Sequence, residues 1–408
     1  MTAADAESPP PPPHRSRWFV LGYGAAQTGA FICFIPLLTL LLPQMAGSVG
    51  GADPALLLSI AATLGGLTAA GANFLFGALS DRTTSRFGRR RPWIFGGFLL
   101  VAGSLVALAA SRTPVQLVLA VVAFQVAVNA LYAPLTALVP DLVSDSQKGL
   151  ISAWAGAALP VANLFTAALA SRLSGATNLQ FLAVGMTAGA LILPFAMRLR
   201  EPARHYSPSP VQFSLVALTD GWFRRLFVSR LLAEGAVAIN TLFLLIWLNG
   251  LLAGATRGAD LSGPKFGLLL VVSTLAATAF GFAAGHLSDR LGARRLFVAA
   301  GAAGMAASLG LMVGWQTWYG LLAAQFLFGA SHGVHATTVA ALTAESVPDR
   351  TRAGRDLGVM NLAVALPQSL APAGAAVVLA SGLPLSVVFA LAGVAALASG
   401  ATLVRPRS

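Results

Sequence analysis

Charge is what this sequence has least of. Only 10% of its 408 residues are Asp, Glu, Lys or Arg, against roughly 25% in soluble domains. Acid is scarcer than base: 14 Asp and Glu stand against 26 Lys and Arg. With 56% hydrophobic residues and a mean hydropathy of +0.76, the composition excludes a soluble fold and fits a polytopic membrane protein. Cys33 is the single cysteine, so no intrachain disulfide forms. No G-x-x-x-x-G-K-[ST] loop is present to cradle a nucleotide phosphate, which excludes an ATP-driven pump of that kind. No Cys/His cluster has metal-ligand spacing and no G-x-S-x-G elbow occurs. Enzymatic catalysis, a metal centre and a cofactor are therefore not expected. The net charge of +12 does not mark a nucleic-acid binder, because the basic residues fall in short loops between apolar runs. They read as a topology signal and as contacts for anionic headgroups of membrane lipids.

What is present is a series of long apolar runs. They fall at about 19–43, 55–78, 93–111, 114–138, 150–171 and 179–199, then at 225–250, 266–286, 296–314, 317–340, 356–380 and 384–404. Each approaches the ~20 residues needed to cross ~30 Å of hydrocarbon. An even number of spans puts both chain ends on one side. That side holds 22 of the 26 basic residues, and the opposite side holds the other 4, Arg112, Arg172, Arg257 and Lys265. The positive-inside bias makes both termini cytoplasmic and the protein a multi-pass component of a plasma or inner membrane. Residues 1–17 read as a disordered cytoplasmic tail and 18–199 as a six-helix half. Residues 200–221, polar and proline-broken, read as a cytoplasmic linker, and 222–408 as the second half.

A repeat supports that division. Gly77–Pro92 reads GALSDRTTSRFGRRRP, and Gly285–Arg295 reads GHLSDRLGARR, 208 positions on. The first copy carries Asp81, Arg82, Arg89, Arg90 and Arg91; the second carries Asp289, Arg290, Arg294 and Arg295. Each charge would cost roughly 2.5–3.5 kcal/mol at a helix centre, so both stretches are loops at the membrane surface. A repeat at half the chain length, each copy joining two apolar runs, implies two related membrane halves. Ala-Leu-Pro also recurs, at 158–160 and 365–367, pairing the fifth span with the eleventh.

These loops resemble the signature between the second and third helices of the major facilitator superfamily. The longer first copy, ending Arg-Arg-Arg-Pro, is similar to that of the glycoside–pentoside–hexuronide symporters, especially the sucrose–proton group. The run from Asp356 to Gln368 resembles helix eleven of that group, and Pro140-Asp141-Leu142 resembles the end of its helix four. The resemblance implies an all-α polytopic fold, with twelve transmembrane helices in two pseudo-symmetric six-helix halves around a central cavity. It also implies alternating access. Asp81 and Asp289 are then expected to bond loop arginines or helix N-termini when the cytoplasmic side is closed, which makes the nine loop residues candidates for gating.

Of the 14 acidic residues, only Glu234 lies deep in a span. Ten residues after Arg224, it sits about 15 Å into the seventh helix, near the midplane where transporters bind solute. A buried carboxylate suits proton uptake and release. Arg230, one turn earlier, offers an i, i+4 ion pair that would make the acid merely structural. His332 and His335 share a face at i, i+3 of the tenth span and offer a site for a metal or a proton. With no carboxylate or thiol nearby in sequence, they read as a cavity-facing polar pair. Glu234, Arg230, His332 and His335 are the coupling candidates.

Gln27 has the equivalent depth in the first span, 207 positions before Glu234. Asn129, Tyr132, Asn163, Asn240, Trp247, Asn361 and Gln368 also lie at middle depth. Amides donate and accept, as hydroxyl-rich solutes require, though each alone serves equally to bond a neighbouring helix. The superfamily resemblance places most of these helices along the cavity, so all eight residues are substrate-binding candidates. The expected function is secondary active transport by a monomer, moving a sugar or other small hydroxylated solute together with H+. A proton-driven drug or metabolite exporter of the same fold is the first alternative and predicts an apolar cavity. A non-transporting membrane sensor is the second and would usually add a soluble output domain.

Overall fold

The computed structural model describes residues 14–51, 53–201, 215–253, 262–346 and 353–404. Positions 1–13 of the expected tail and 202–214 of the expected linker lie outside the described residues. Within them the chain forms helices and no strand. Hydrocarbon imposes this, since a spanning backbone must satisfy its own N–H and C=O groups. The first six spans are α1 (Arg17–Val49), α2 (Pro54–Arg82), α3 (Arg91–Ala110), α4 (Pro114–Leu142), α5 (Asp145–Arg172) and α6 (Thr177–Arg198). The next six are α7 (Gly221–Ala253), α8 (Ser262–Leu291), α9 (Arg294–Gly314), α10 (Trp318–Glu345), α11 (Ala353–Ala365, resuming as Pro367–Ala380) and α12 (Leu385–Val404). Among the described helices, eleven are long and apolar enough to cross a membrane on their own composition. The twelfth, α10, falls short because Gln325, Ser331, His332, His335, Thr337 and Thr338 interrupt it. Packing between α8 and α9 screens much of that polar surface from lipid.

Local chemistry sets the helix ends. The Thr113 hydroxyl accepts from the Gln116 N–H at 3.2 Å, and Thr317 accepts from Gly320 at 3.1 Å, so α4 and α10 begin with the same cap in the two halves. Proline shapes the interiors. After Pro36, α1 loosens into a π turn over Leu37–Leu41, where the ring has removed a ladder donor. Pro367 interrupts α11 at Leu366, whereas Pro160, its repeat partner, is absorbed within α5.

The two halves meet along α1–α7, α2–α11 and α5–α8. On α5–α8 the approach is close: a Cβ on Gly267 would lie 2.7 Å from the Ala167 carbonyl and would collide with the Ser171 hydroxyl. On α2–α11, a Cβ on Gly66 would meet Ser369 and lie 3.1 Å from the Gln368 carbonyl. Both crossings lie in the parts of these helices remote from the termini. Toward the face that carries the termini, Phe74 of α2, Trp154 of α5 and Phe282 of α8 are exposed. The closest approaches between the halves thus shut the bundle at the end remote from the terminal face. A bulky side chain at Gly267 should hold that shut end apart. In Gly267→Trp carrying a cysteine at Ala167, an impermeant maleimide applied from the far side should label several-fold faster than in the Ala167→Cys parent. Equal rates would show that the seam absorbs the added volume.

Candidate functional site

At the terminal face, the first loop turns at Gly88, whose φ of +103° is left-handed and whose missing Cβ leaves room for the Glu201 carboxylate. The backbone N–H groups of Arg89, Arg90 and Arg91 donate to that carboxylate at 2.9, 2.9 and 2.7 Å. Glu201 therefore caps the N-terminus of α3, where unpaired donors and the helix dipole favour an anion. Sequence reasoning missed Glu201; its signal was a lone acid just past α6, following Arg198 and Arg200. Arg90 is buried, with 4% side-chain exposure, and pairs with Asp81 at 2.5 Å and Asp141 at 3.0 Å. Its other terminal nitrogen donates to the Ser80 hydroxyl at 2.5 Å. Arg89 reaches Asp141 at 2.6 Å. Arg82 is exposed, and the Arg91 guanidinium lies 5.9 Å from the Phe87 ring.

The second loop repeats the plan. Gly292 is left-handed at φ +61°, Arg294 pairs with Asp289 at 2.6 Å, and Arg294 also pairs with Glu345 at the end of α10. Arg295 lies 4.3 Å over the Trp222 ring, and the Trp222 indole donates to Ser346 at 3.0 Å. Arg290 is exposed. Each half thus ties an acid at the end of one helix to an arginine at the start of the next and to an acid two helices on. Both ties stay within one half.

Deeper in the second half, α7, α10 and α12 assemble a polar cluster. Arg230 and Glu234 lie one turn apart on α7 and are both partly buried, yet they form no ion pair with one another. Glu234 is within electrostatic reach of His332, and His335 is within reach of both His332 and Arg230. The two histidines are held differently. His335 is buried, with its Nε2 3.4 Å from the Ser399 hydroxyl of α12, which lies 3.0 Å from the Ser229 hydroxyl of α7. His332 stacks on Phe328, centroids 6.4 Å apart, and stays on the Glu234 side. The Arg230 Nε is sealed from solvent and has no hydrogen-bond partner.

The first half supplies hydroxyl and amide. Gln27, 2% exposed, donates from Nε2 to the Tyr23 hydroxyl at 2.5 Å, while its Oε1 is buried without a partner. Tyr132 of α4 packs edge-on to Phe31, centroids 6.1 Å apart, and lies within reach of Tyr23. The remaining candidates divide. Asn129 accepts from Asn73 at 3.1 Å and donates to the Gln125 carbonyl at 2.8 Å, which ties α4 to α2. Trp247 packs on Phe389 at 5.1 Å. Asn163 is half-buried on α5, while Asn361 and Gln368 are exposed on α11.

Asn240 and Gln325 bond each other reciprocally at 3.2 and 2.9 Å, tying α7 to α10. Asn240→Leu should therefore destabilise the fold by about 1–2 kcal/mol, because it strands the Gln325 amide. Adding Gln325→Leu should recover much of the loss in thermal midpoint. A double variant no more stable than the single would show that the amides do not act as a pair.

The family model of the Major Facilitator Superfamily matches residues 19–258 and 236–408. The fold is similar to the crystal structure of the nucleoside transporter NupG in its D323A form, at 14% identity and TM-score 0.73, over 94% of this chain and 98% of that one. It is also similar to a bacterial homologue of the human lysosomal transporter Spinster in an inward-facing, occupied conformation, at 14% identity and TM-score 0.68, over 96% of both chains. No curated relative matches in sequence. With twelve spans among the described residues in two related halves and a family match along nearly its whole length, the chain belongs to the Major Facilitator Superfamily and is a secondary transporter working by alternating access, not an enzyme.

Proposed function

We propose that this transporter moves a small hydroxylated solute, a sugar or sugar-like molecule, together with protons, and that Glu234 is the proton carrier with His332 as its partner. The observation that carries the reading is a partly buried carboxylate on α7 that makes no ion pair with Arg230 and lies in electrostatic reach of an imidazole on α10. A titratable acid and base facing one another inside a membrane mark a proton or substrate pathway. On the opposite half, Gln27, Tyr23 and Tyr132 supply donors and acceptors that suit hydroxyls. That polarity argues against the apolar cavity of a drug exporter. NupG is a nucleoside transporter, and nucleosides are themselves hydroxylated. The sequence assigns 21 of its 26 basic residues to loops and helix ends of the terminal side, with Arg230 lying within α7, and this asymmetry supports a cytoplasmic terminal face.

Reconstitution into liposomes tests the reading. A panel of labelled sugars, nucleosides and lipophilic cations is offered under an imposed pH gradient, with and without a protonophore. Accumulation of a hydroxylated solute beyond equilibrium, lost on adding the protonophore, is expected. Equilibration indifferent to the gradient would make the protein a uniporter, and movement of the cations alone would make it an exporter. Orientation is tested separately: in Ser408→Cys, an impermeant maleimide should label the chain only after the cells are opened.

A further inference from the structure

We infer that Arg230 is a recognition site for a carboxylate, so that the transported solute is a hydroxylated acid and not a neutral sugar. The inference deepens the preceding proposal and rests on its placement of the substrate between the two halves. Arg230 lies six residues after Arg224 on α7, about 9 Å along the axis and one turn short of Glu234. Charged side chains within membrane helices normally face the bundle interior, and a buried charge normally has a partner. Here the expected partner declines the role: Glu234 sits at the i+4 position that favours pairing, yet no ion pair joins them. No described side chain hydrogen-bonds Arg230, and its Nε is sealed without a partner. On its other flank His335 is held by Ser399, and the hydroxyl chain continues to Ser229, so these groups are already engaged with one another. Among the described residues the guanidinium is thus left as an unneutralised planar fork of donors.

That fork matches a carboxylate in two-point geometry. One arginine neutralises one negative charge, and the nearby Glu234 carboxylate disfavours a second, so a monocarboxylate fits better than a phosphate dianion. Occupation of Arg230 also removes a positive charge from beside the proton carrier. Anion binding and proton binding then favour each other, and the coupling is reciprocal.

The test uses a matched pair of probes, glucuronate and glucose, which differ at one carbon. Purified full-length protein in lipid nanodiscs is titrated with each, following the thermal midpoint and the apparent affinity. Glucuronate should raise the midpoint and bind at least about tenfold more tightly than glucose. Arg230→Gln should erase that difference, and Arg230→Lys, a point charge without the fork, should keep part of it. Without ligand, Arg230→Gln should be as stable as the parent or melt several degrees higher, because it removes an uncompensated charge. Equal responses to the two probes in the parent, including none to either, overturn the inference. So does selectivity that survives in Arg230→Gln, or a sharp fall in the ligand-free midpoint of that variant. Proton-driven accumulation of glucose without glucuronate binding would sink the carboxylate site and leave the transport reading standing. Arg230-dependent glucuronate binding without gradient-driven uptake would do the reverse.

Discussion

Glu234→Gln is expected to abolish proton-driven accumulation while leaving solute exchange close to the parent rate. A pH gradient of one unit holds about 1.4 kcal/mol per proton, enough for about tenfold accumulation at one proton per solute. With the only deep acid neutralised, that ratio should fall to about one. Exchange moves solute in both directions and needs no net proton movement, so it should persist. The geometry sharpens the expectation. Had Glu234 neutralised Arg230, the glutamine would strand a buried cation and reduce the yield of folded protein. No ion pair joins the two, so yield and thermal midpoint should hold. Accumulation, exchange and yield measured on one preparation separate the cases. Full accumulation by well-folded Glu234→Gln would remove the residue from coupling and turn attention to His332. His335, fixed through Ser399 to α7, is less free to change partners during a cycle.

The contrast between these two histidines shows where the sequence stopped informing. Their i, i+3 spacing put them on one face of α10 and made them equal. Only the packing of α12 separates them, because Ser399 lies far from them in sequence and carries no motif. The same holds for Arg230 and Glu234: spacing permits a pair, and tertiary placement declines it. Asn129 and Asn240 were legible as polar groups at middle depth. That each is occupied by an amide of a neighbouring helix, Asn73 or Gln325, depends on helix–helix register, which no local pattern encodes. The architecture itself was legible for the opposite reason. Apolar length and basic-residue asymmetry are imposed by the bilayer on each segment independently, and the repeated Ser-Asp-Arg loops mark the two halves without reference to packing. Even α10, too interrupted by polar groups to count as a span on composition alone, was legible as an apolar run at about 317–340.

The loop arginines were legible as a group and not as individuals, and their individual roles give the second large effect expected. Arg90→Ala should cost most of the folded protein, while Arg91→Ala, its neighbour, should cost little. Arg90 is buried and holds Asp81, Asp141 and Ser80 together across α2, α3 and α4. Removing one partner from a buried ionic group costs about 3–5 kcal/mol, since it leaves charges uncompensated. Total stabilities are only about 5–15 kcal/mol. The Arg91 side chain lies beside Phe87 at the surface, and its bond to Glu201 is made by the backbone, which the substitution keeps. Its cost should stay within about 0.5 kcal/mol. Adding Asp141→Asn to Arg90→Ala should restore part of the yield by removing one stranded charge. In the second half, Arg294 occupies the equivalent place with 22% side-chain exposure and partners exposed by more than half, so solvent screening should make Arg294→Ala milder than Arg90→Ala. Purified yield and thermal midpoint in detergent rank the variants, and Arg91→Ala as damaging as Arg90→Ala would show that the loop's total charge matters, not the single buried guanidinium.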